Sequence, residues 1–275
     1  MKTIRYEGIK KNADTTTLIN DYLVVEAPLE ININNNTFTV VMRTPGNDEA
    51  LVRGLLYSED IYRESENLIL EEIENKNNGF TKINIIIPKE KLGKGYLNKR
   101  SLLSVSSCGI CGKQSLSDFD TPKIKFENQP KINLDRLPEM FSMMKTYQHT
   151  FSLTGGSHAA ILFTKGYEFL TLQEDIGRHN AVDKCIGELL NTNNLNTAAF
   201  MLVSGRVSYE IITKAFLAKI SVIVAVSACS SLAVDYAKEF GICLIGFSRD
   251  EKATIYSNPS GVTIGNNQKI MNSHD

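Results

Sequence analysis

The sequence has no run of apolar residues long enough to cross a membrane. Its most apolar run, SVIVAVSAC at residues 221–229, is far shorter than the about 20 residues that a transmembrane helix needs. The first residues, MKTIRYEGIKKNADTTT, also contain no apolar segment that could form the core of a signal peptide. These two absences predict a cytoplasmic protein that does not bind membranes.

The sequence also lacks an excess of charge and has few cysteines. Its 30 Lys and Arg residues against 31 Asp and Glu residues give a net charge of -1, so no overall field would attract nucleic acid, and none is expected as a partner. An odd count of five cysteines argues against a disulfide framework. The 275 residues, 42% of them hydrophobic, are enough to fill the core of one large or two modest domains.

Two of the cysteines, Cys108 and Cys111, form a Cys-x-x-Cys pair in the stretch SSCGICGK. In a reducing compartment such a pair is more often catalytic or metal-binding than structural. A zinc site would need a second pair of ligands, but Cys185, Cys229 and Cys243 each stand alone in apolar helix or strand-end contexts. The sequence therefore predicts no bound metal.

Two other functions remain open for this pair of thiols. A thioredoxin-type redox switch places its cysteines where a helix begins, and GKQSLSDFD after Cys111 predicts no helix. Lys113 and Arg100 lie close enough in sequence to favour a thiolate by their charge. A thiol that is accessible, flanked by glycine and near positive charge is suited to accept a sulfur atom and carry it elsewhere.

The sequence pattern predicts two domains joined by a loop. Residues 1–95 read as a small α+β domain with a hairpin turn at Asn34–Asn36, a helix capped by Asn47, and strands near 66–73 and 80–87. Residues 96–130 have no periodicity and are rich in glycine, serine, lysine and proline, which predicts a flexible loop that carries the cysteines. Residues 131–275 form the second predicted domain.

In this second domain, strands alternate with helices. Helices are predicted over 133–147, from 178, over 207–219 and over 231–240, and short apolar strands lie between them. The helix from 178 would bury Ala181, Val182, Cys185, Ile186, Leu189 and Leu190, and the helix over 231–240 would bury Leu232, Ala233, Tyr236, Ala237 and Phe240. This alternation predicts an α/β fold with a largely parallel sheet covered by helices on both faces.

Small polar and basic residues follow four of these predicted strands, in TLQEDIGRHN, VSGRVSYE, VSACSS and GFSRDEK. Ligands of such sheets bind beyond the carboxyl ends of the strands, so the sequence predicts a site there for an anionic ligand such as a nucleotide. Asp175 could accept hydrogen bonds from guanine, Arg178 or Arg206 could hold phosphate, and His179 lies beside them. For His158 a structural and a functional role are both open.

Taken in order, six motifs resemble the formate dehydrogenase accessory sulfurtransferase family (FdhD). They are RTPGNDEALVRGLL, SSCGICGK, GGSHAA, EDIGRHNAVDKCIG, SGRVSYE and GFSRD, and the resemblance extends from about residue 20 to residue 260. It implies a sulfurtransferase that takes persulfide sulfur from a cysteine desulfurase. The sulfur would pass to the molybdenum cofactor, bis-molybdopterin guanine dinucleotide, before that cofactor enters formate dehydrogenase.

The resemblance also assigns residues and architecture. It implies that Cys108 carries the persulfide, that Cys111 assists it, and that GDP-like nucleotides bind as parts of the cofactor. It implies a homodimer whose second domain is similar to the cytidine-deaminase fold without the zinc ligands, and it makes Cys185 and Cys229 packing thiols. The implied cofactor-binding segment consists of Phe247, Ser248, Arg249, Asp250, Glu251 and Lys252.

Two functions of other classes compete with sulfur transfer. A non-catalytic chaperone that only binds the cofactor or escorts the dehydrogenase would tolerate loss of the cysteine pair. A thiol oxidoreductase would cycle a disulfide between Cys108 and Cys111 and would have no use for a guanine-sized site. The pair of thiols and the strand ends are therefore the features that discriminate between the three functions.

Overall fold

The computed structural model describes residues 1–64, 66, 68–75, 79–97, 125–127, 129–249 and 252–263. In the first part of the chain the strands and helices alternate irregularly. They are β1 (Thr3–Lys11), β2 (Thr16–Val24), β3 (Ala27–Ile33), β4 (Asn36–Arg43), α1 (Asp48–Ser58), β5 (Leu70–Asn75), β6 (Thr81–Ile85) and α2 (Lys94–Leu97).

A four-stranded sheet in the order β4-β3-β6-β5 carries α1 on one face. The predicted hairpin is confirmed, because Asn34 and Asn35 connect β3 to β4 with φ values of 51° and 64°. Two successive residues with positive φ form the turn that suits the twist of a hairpin, and asparagine tolerates this conformation. The two predicted strands also exist, as β5 and β6.

Helix α1 is present, but the predicted cap is wrong. Asn47 occupies the N-cap position with φ 55°, and its side chain makes no capping hydrogen bond. Instead its Nδ2 donates to Gln173 Oε1, which belongs to the second part of the chain. The asparagine therefore joins two parts of the molecule and does not satisfy its own helix.

Strands β1 and β2 form a separate antiparallel ribbon, the N-terminal ribbon, which the sequence pattern did not predict. Most of its residues are exposed, so there is no alternation of buried and exposed side chains that could have indicated a strand. An isolated two-stranded sheet is at best marginally stable in water, so contacts with the rest of the molecule matter. Strand β2 contacts the short helix α4 (His149–Thr154).

The second part of the chain contains the larger sheet. Its elements are β7 (Ile132–Asn133), α3 (Leu137–Tyr147), α4, β8 (His158–Thr164), β9 (Phe169–Asp175), α5 (Arg178–Asn191), β10 (Ala198–Val203), α6 (Tyr209–Leu217), β11 (Val222–Ala225), α7 (Ser231–Phe240), β12 (Cys243–Arg249), β13 (Lys252–Ser257) and β14 (Val262–Thr263). The predicted helices correspond to α3, α5, α6 and α7.

The six strands of this sheet lie in the order β13-β12-β11-β10-β8-β9, and the prediction of a largely parallel sheet is wrong. Only β10–β11 and β11–β12 pair in parallel, whereas β9–β8, β8–β10 and β12–β13 pair antiparallel. The reason is the length of the connections, since β8 and β9 are joined by a tight turn at Gly166 and Tyr167, which can only reverse the chain.

Helices cover both faces of this sheet, as predicted. Residues of α5, α6 and α7 form one hydrophobic cluster with it, and α3 forms the other. Most of the apolar side chains predicted to face inward are buried or partly buried, but Leu232 is 38% exposed. Leu232 lies in the first turn of α7, and the periodicity was wrong in assigning it to the buried side.

Helices α1 and α5 cross at very short distance and join the two sheets. A Cβ atom on Gly187 would lie 1.8 Å from the carbonyl oxygen of Ala50, and one on Gly54 would lie 1.8 Å from that of Asp183. Only glycine permits such an approach of two backbones. The proposed domain limits at residues 95 and 130 and the likeness to cytidine deaminases remain predictions.

Candidate functional site

The carboxyl ends of β9, β10, β11 and β12 meet at one edge of the larger sheet. These four strands run in the same direction, because β9 and β10 are both antiparallel to β8, and β11 and β12 are parallel to β10. We call this the strand-end edge. It brings together the residues after each strand, as the sequence predicted, and His158 at the start of β8 lies there too.

Asp175, at the end of β9, is completely buried, and its contacts stabilise the strand-end edge. Its Oδ2 accepts hydrogen bonds from the Thr44 backbone N–H and Lys184 Nζ, and its Oδ1 accepts from the Gly177 N–H and Asn180 Nδ2. With both oxygens engaged and no exposed surface, Asp175 is not placed to bind guanine. The assignment of Asp175 as a ligand-binding carboxylate is therefore corrected to a structural role.

The partners of Asp175 fasten the loop after β4 to this strand end. Lys184 Nζ also donates to the Thr44 carbonyl at 2.8 Å, and the Ile176 N–H donates to Thr44 Oγ1 at 3.1 Å. Arg43, fully buried, pairs with Asp48 at 2.6 Å. The motifs RTPGND and EDIGRHN, far apart in sequence, thus form one hydrogen-bonded unit beneath the strand-end edge.

His158 faces the loop after β10, near Arg178 and Arg206. A Cβ atom on Gly205 would lie 3.1 Å from His158 Nδ1 and 3.4 Å from Arg178 Cβ, so a side chain at residue 205 would crowd the imidazole. Burial, and then the charges of Arg178 and Arg206, lower the pKa of His158. The imidazole is therefore neutral near pH 7 and can serve as a hydrogen-bond donor or acceptor.

His179, in the first turn of α5, forms a polar cluster with residues at the start of α6. Its Nε2 lies 3.0 Å from Ser208 Oγ and 3.0 Å from Glu210 Oε2. Burial alone would raise the pKa of the Glu210 carboxyl, but the hydrogen bond and charge of His179 lower it below its ordinary value. Glu210 is thus an ionised carboxylate at the strand-end edge.

Two polar atoms of this cluster are enclosed by protein and have no hydrogen-bond partner. They are Arg178 Nε, a donor, and Glu210 Oε1, an acceptor. A buried polar atom without a partner costs about 1–3 kcal/mol, so such atoms mark places where a bound molecule can improve the contacts. Arg206, the third charged residue here, is exposed.

The end of β12 presents an aromatic ring and basic side chains at the same edge. Phe247 is 44% exposed and has φ 50°, a conformation that is uncommon for a bulky residue, at an irregularity in the pairing of β12 with β13. Arg249 and Lys252 are exposed and pair across the β12–β13 turn, whereas Ser248 is buried. Asp250 and Glu251 lie outside the described residues.

Backbone hydrogen bonds connect the two ends of this region. The Val207 N–H donates to the Ala228 carbonyl, and the Phe247 N–H donates to the Ser227 carbonyl, both at 3.0 Å. The loops after β10, β11 and β12 therefore form a continuous surface. Neighbouring strands lie about 4.8 Å apart. Phe247 on β12 is therefore separated by roughly two strand spacings from Arg206, which follows β10, and by roughly four from Arg178, which follows β9. This span suits an extended ligand.

The predicted carrier thiols Cys108 and Cys111 lie outside the described residues. The other three cysteines can be judged from their surroundings. Cys185 and Cys243 are fully buried, and Cys229 is partly buried. Burial raises the pKa of the Cys229 thiol to about 11, that of Cys243 to about 12, and that of Cys185 well above its ordinary value.

These three thiols are therefore protonated near neutral pH and are poor nucleophiles. Cys185 packs in the core and its Sγ donates to the Ala160 carbonyl, as the interpretation of a packing thiol predicts. Among the described residues no group of three His, Cys, Asp or Glu side chains could hold a metal ion, and no helix is long and apolar enough to span a membrane. The absence of a bound metal in the whole chain stays a prediction.

The sequence predicted Arg178, His179 and Arg206, which the structure brings to this edge, but Glu210 and the position of His158 beside them were not predicted. The signal for Glu210 was present, since Ser208 and Glu210 follow the glycine and arginine of SGRVSYE at the start of a helix. For His158 no local signal existed, because β8 reaches this edge only through its antiparallel pairing with β9 and β10.

Comparison with known proteins gives a consistent result. The FdhD/NarQ family model matches residues 24–263. The chain is 39% identical over 248 residues to the sulfur carrier protein FdhD of Streptomyces avermitilis, covering 86% of this chain and 87% of the relative. It is 37% identical over 265 residues to the protein of the same name from Mycobacterium tuberculosis, covering 92% of this chain and 95% of the relative.

An archaeal relative and a solved structure extend the comparison. The sulfur carrier protein FdhD of Sulfolobus acidocaldarius is 36% identical over 245 residues, covering 89% of this chain and 92% of the relative. The crystal structure of a candidate formate dehydrogenase accessory protein from Desulfotalea psychrophila superposes with a TM-score of 0.72 at 20% identity, covering 96% of this chain and all of that chain. At this identity the likeness concerns the fold.

Proposed function

Because the chain belongs to the FdhD/NarQ family, we propose that it is a sulfur carrier in the maturation of formate dehydrogenase. The observation that carries the proposal is the state of the three described thiols. Cys185 and Cys243 are buried, Cys229 is partly buried, and all three have raised pKa values, so the pair Cys108 and Cys111 remains for the sulfur chemistry. The protein is then a sulfurtransferase with a cysteine persulfide intermediate.

The first step of this reaction involves a cysteine desulfurase as the donor. The Cys108 thiolate attacks the outer sulfur of the donor's persulfide, so that a new S–S bond forms on Cys108, the donor's S–S bond breaks, and the donor leaves as a thiolate. No net oxidation occurs. In the delivery step, Cys111 can attack the inner sulfur of the Cys108 persulfide. This attack releases sulfide and leaves a Cys108–Cys111 disulfide, which a cellular thiol reduces.

The proposed acceptor is the molybdenum cofactor bis-molybdopterin guanine dinucleotide, bound as substrate at the strand-end edge. Its phosphates would be held by Arg178, Arg206 and Arg249, which offer charged N–H donors. Phe247 offers an exposed ring for stacking. Glu210, whose side chain is 13% exposed whereas that of Asp175 is not exposed at all, replaces Asp175 as the carboxylate proposed to accept hydrogen bonds from guanine.

The decisive experiment is complementation of a strain that lacks its own sulfur carrier of this family. Cys108→Ala should abolish formate dehydrogenase activity, because it removes the acceptor nucleophile. Cys111→Ala should reduce activity less, since the carrier thiol remains. Cys229→Ala is the matched control, because this partly buried thiol has a pKa of about 11 and should be dispensable.

The outcomes separate the proposed function from its competitors. Full activity of the Cys108→Ala protein would contradict sulfur transfer and favour a chaperone that only binds the cofactor or escorts the dehydrogenase. Equal loss of activity in the Cys108→Ala and Cys111→Ala proteins, together with a reversible disulfide and no nucleotide binding, would favour a thiol oxidoreductase. A homodimer in the cytoplasm, with a desulfurase and formate dehydrogenase as transient partners, completes the proposal.

A further inference from the structure

Thr44 follows β4 in the first part of the chain, yet each of its polar atoms bonds to the segment around the start of α5. Its N–H donates to Asp175 Oδ2 at 3.1 Å, its Oγ1 accepts from the Ile176 N–H at 3.1 Å, and its carbonyl accepts from Lys184 Nζ at 2.8 Å. Thr44 has no exposed surface. A residue 132 positions before Ile176 therefore holds the chain at that point.

The two residues between β9 and α5, Ile176 and Gly177, form a short connection that we call the entry turn. Both of its backbone N–H groups are bonded. The Ile176 N–H donates to Thr44 Oγ1, and the Gly177 N–H donates to Asp175 Oδ1 at 2.8 Å. These two bonds fix the backbone of the entry turn, and so they fix the point at which the side chain of Arg178 leaves the backbone.

Arg178 is the residue of the strand-end edge that depends most directly on the entry turn. It is the first residue of α5, it is half-buried, and its Nε is enclosed by protein without a hydrogen-bond partner. A Cβ atom on Gly205 would lie 3.4 Å from Arg178 Cβ, so the loop after β10 lies against the stem of the arginine. Binding groups need to be held within about 0.5 Å of their productive position by the residues that support them.

The rest of α5 is held by other contacts. Backbones of α1 and α5 touch where a Cβ atom on Gly54 would lie 1.8 Å from the Asp183 carbonyl oxygen, and where one on Gly187 would lie 1.8 Å from that of Ala50. These contacts fix the body of the helix independently of the Thr44 hydroxyl. The bond from this hydroxyl to the Ile176 N–H therefore governs the entry turn and not the whole helix.

We propose that Thr44 is a positioning residue for nucleotide binding, whose hydroxyl holds the entry turn so that the Arg178 guanidinium reaches the phosphate of the ligand. Thr44 itself does not contact the ligand, since it is fully buried. The first part of the chain thus contributes to a site that the strand ends of the second part form. The inference rests on the proposed function in one respect, namely that a guanine nucleotide binds at the strand-end edge.

Replacement of the hydroxyl tests this role in the full chain. Thr44→Val removes the acceptor of the Ile176 N–H but keeps the backbone groups that bind Asp175 and Lys184. The affinity for GDP, measured by calorimetry, should fall about fivefold, because the arginine is no longer preorganised. Thr44→Ser retains the hydroxyl and should restore the affinity to within about twofold of the unaltered protein.

Thr171→Val is the matched control for the loss of a buried hydroxyl. Thr171 is 5% exposed, and its Oγ1 accepts a hydrogen bond from Gln173 inside β9. Strands rise about 3.3 Å per residue, so Thr171 lies more than 10 Å from the entry turn. This variant should bind GDP as the unaltered protein does.

A double-mutant cycle with Arg178 separates positioning from a general structural defect. If Thr44 acts through the arginine, Thr44→Val should cause no further loss of GDP affinity in the Arg178→Ala protein. A general defect would weaken binding by the same factor in both backgrounds. Thermal unfolding shows which variants are folded during calorimetry, and Thr44→Ala, which also lacks the hydroxyl, completes the cycle if Thr44→Val does not fold.

Three results would overturn the positioning role and leave the proposed function intact. They are an unchanged GDP affinity of the folded Thr44→Val protein, the same loss with and without Arg178, or an equal loss in Thr171→Val. A different result, in which the unaltered protein does not bind GDP, would contradict the strand-end edge as the cofactor site and the positioning role with it.

Discussion

The motif at residues 174–184 contains charged residues of two kinds, and the difference between them separates folding from binding. Asp175 and Lys184 are buried and paired with each other at 2.8 Å, and Asp183 is buried and paired with Lys214 at 2.8 Å. Arg178, one turn away, is half-buried and has a nitrogen without a partner. Neighbouring charges in one motif therefore either pair with another charge in the core or, as in Arg178, keep a nitrogen that no protein group satisfies.

The largest expected effect comes from breaking the buried ion pair between Asp175 and Lys184. Lys184→Met removes the cation and leaves the Asp175 carboxylate buried without its charge partner, which should lower the free energy of unfolding by about 3–5 kcal/mol. Chemical denaturation measures this change. Arg178→Met is the matched control and should cost less than about 1 kcal/mol. Equal losses in both variants would show that the two kinds of charge are not distinct.

The next effect concerns binding at the strand-end edge. Arg178→Ala should weaken GDP binding by about ten- to a hundredfold, the loss expected for a charge-assisted hydrogen bond, while thermal stability changes little. Glu210→Gln should reduce the preference for GDP over ADP. Calorimetry with Lys238→Ala, an exposed cation at the opposite edge, provides the control. Equal affinity of the unaltered protein for GDP and ADP would contradict the guanine assignment.

A smaller effect is expected at Phe247, where the backbone has positive φ. Phe247→Asn removes the exposed ring and supplies a residue that tolerates this conformation, so stability should stay equal or rise by a few tenths of a kcal/mol. GDP binding should weaken roughly fivefold if the ring stacks on the base. Phe247→Tyr should retain binding. Unchanged affinity of Phe247→Asn would remove the stacking role.

The smallest expected effect is a pH dependence from His158. Its pKa in the folded state is lowered by burial and by Arg178 and Arg206, so the unfolded chain takes up the proton first as the pH falls. The contribution of His158 to stability is therefore complete above about pH 6.5 and is lost as the pH falls from there towards the lower folded-state pKa. His158→Asn should flatten the stability profile in this window, whereas an unchanged slope would contradict it.

The helices of the larger sheet could be predicted because their signals are local. Residues 231–240 begin after Ser230, whose side chain accepts from the Ala233 N–H, and end before Gly241 with φ 72°. The N-terminal ribbon and the direction of β8 could not be predicted in the same way. The ribbon lacks a buried face, and the direction of β8 depends on the tight turn at Gly166 and Tyr167 that joins it to β9.

The candidate site could be predicted in position but not in the roles of its members. Polar residues after four strands indicated the strand-end edge, since strands of one direction end together. The structural role of Asp175 is not visible in the sequence in full, because Thr44, one of its hydrogen-bond partners, lies 131 residues earlier. Glu210 was missed for the related reason that only folding brings it to His179.

The measurement that most directly tests sulfur transfer is mass spectrometry of the unaltered protein after incubation with a cysteine desulfurase and cysteine. A sulfur carrier should gain about 32 Da, reversible by reductant, on the peptide that contains Cys108. The peptides of Cys185, Cys229 and Cys243 should stay unchanged, because those thiols are buried or have raised pKa values. Sulfur found on one of these three, or on none of the five, would contradict the proposed carrier.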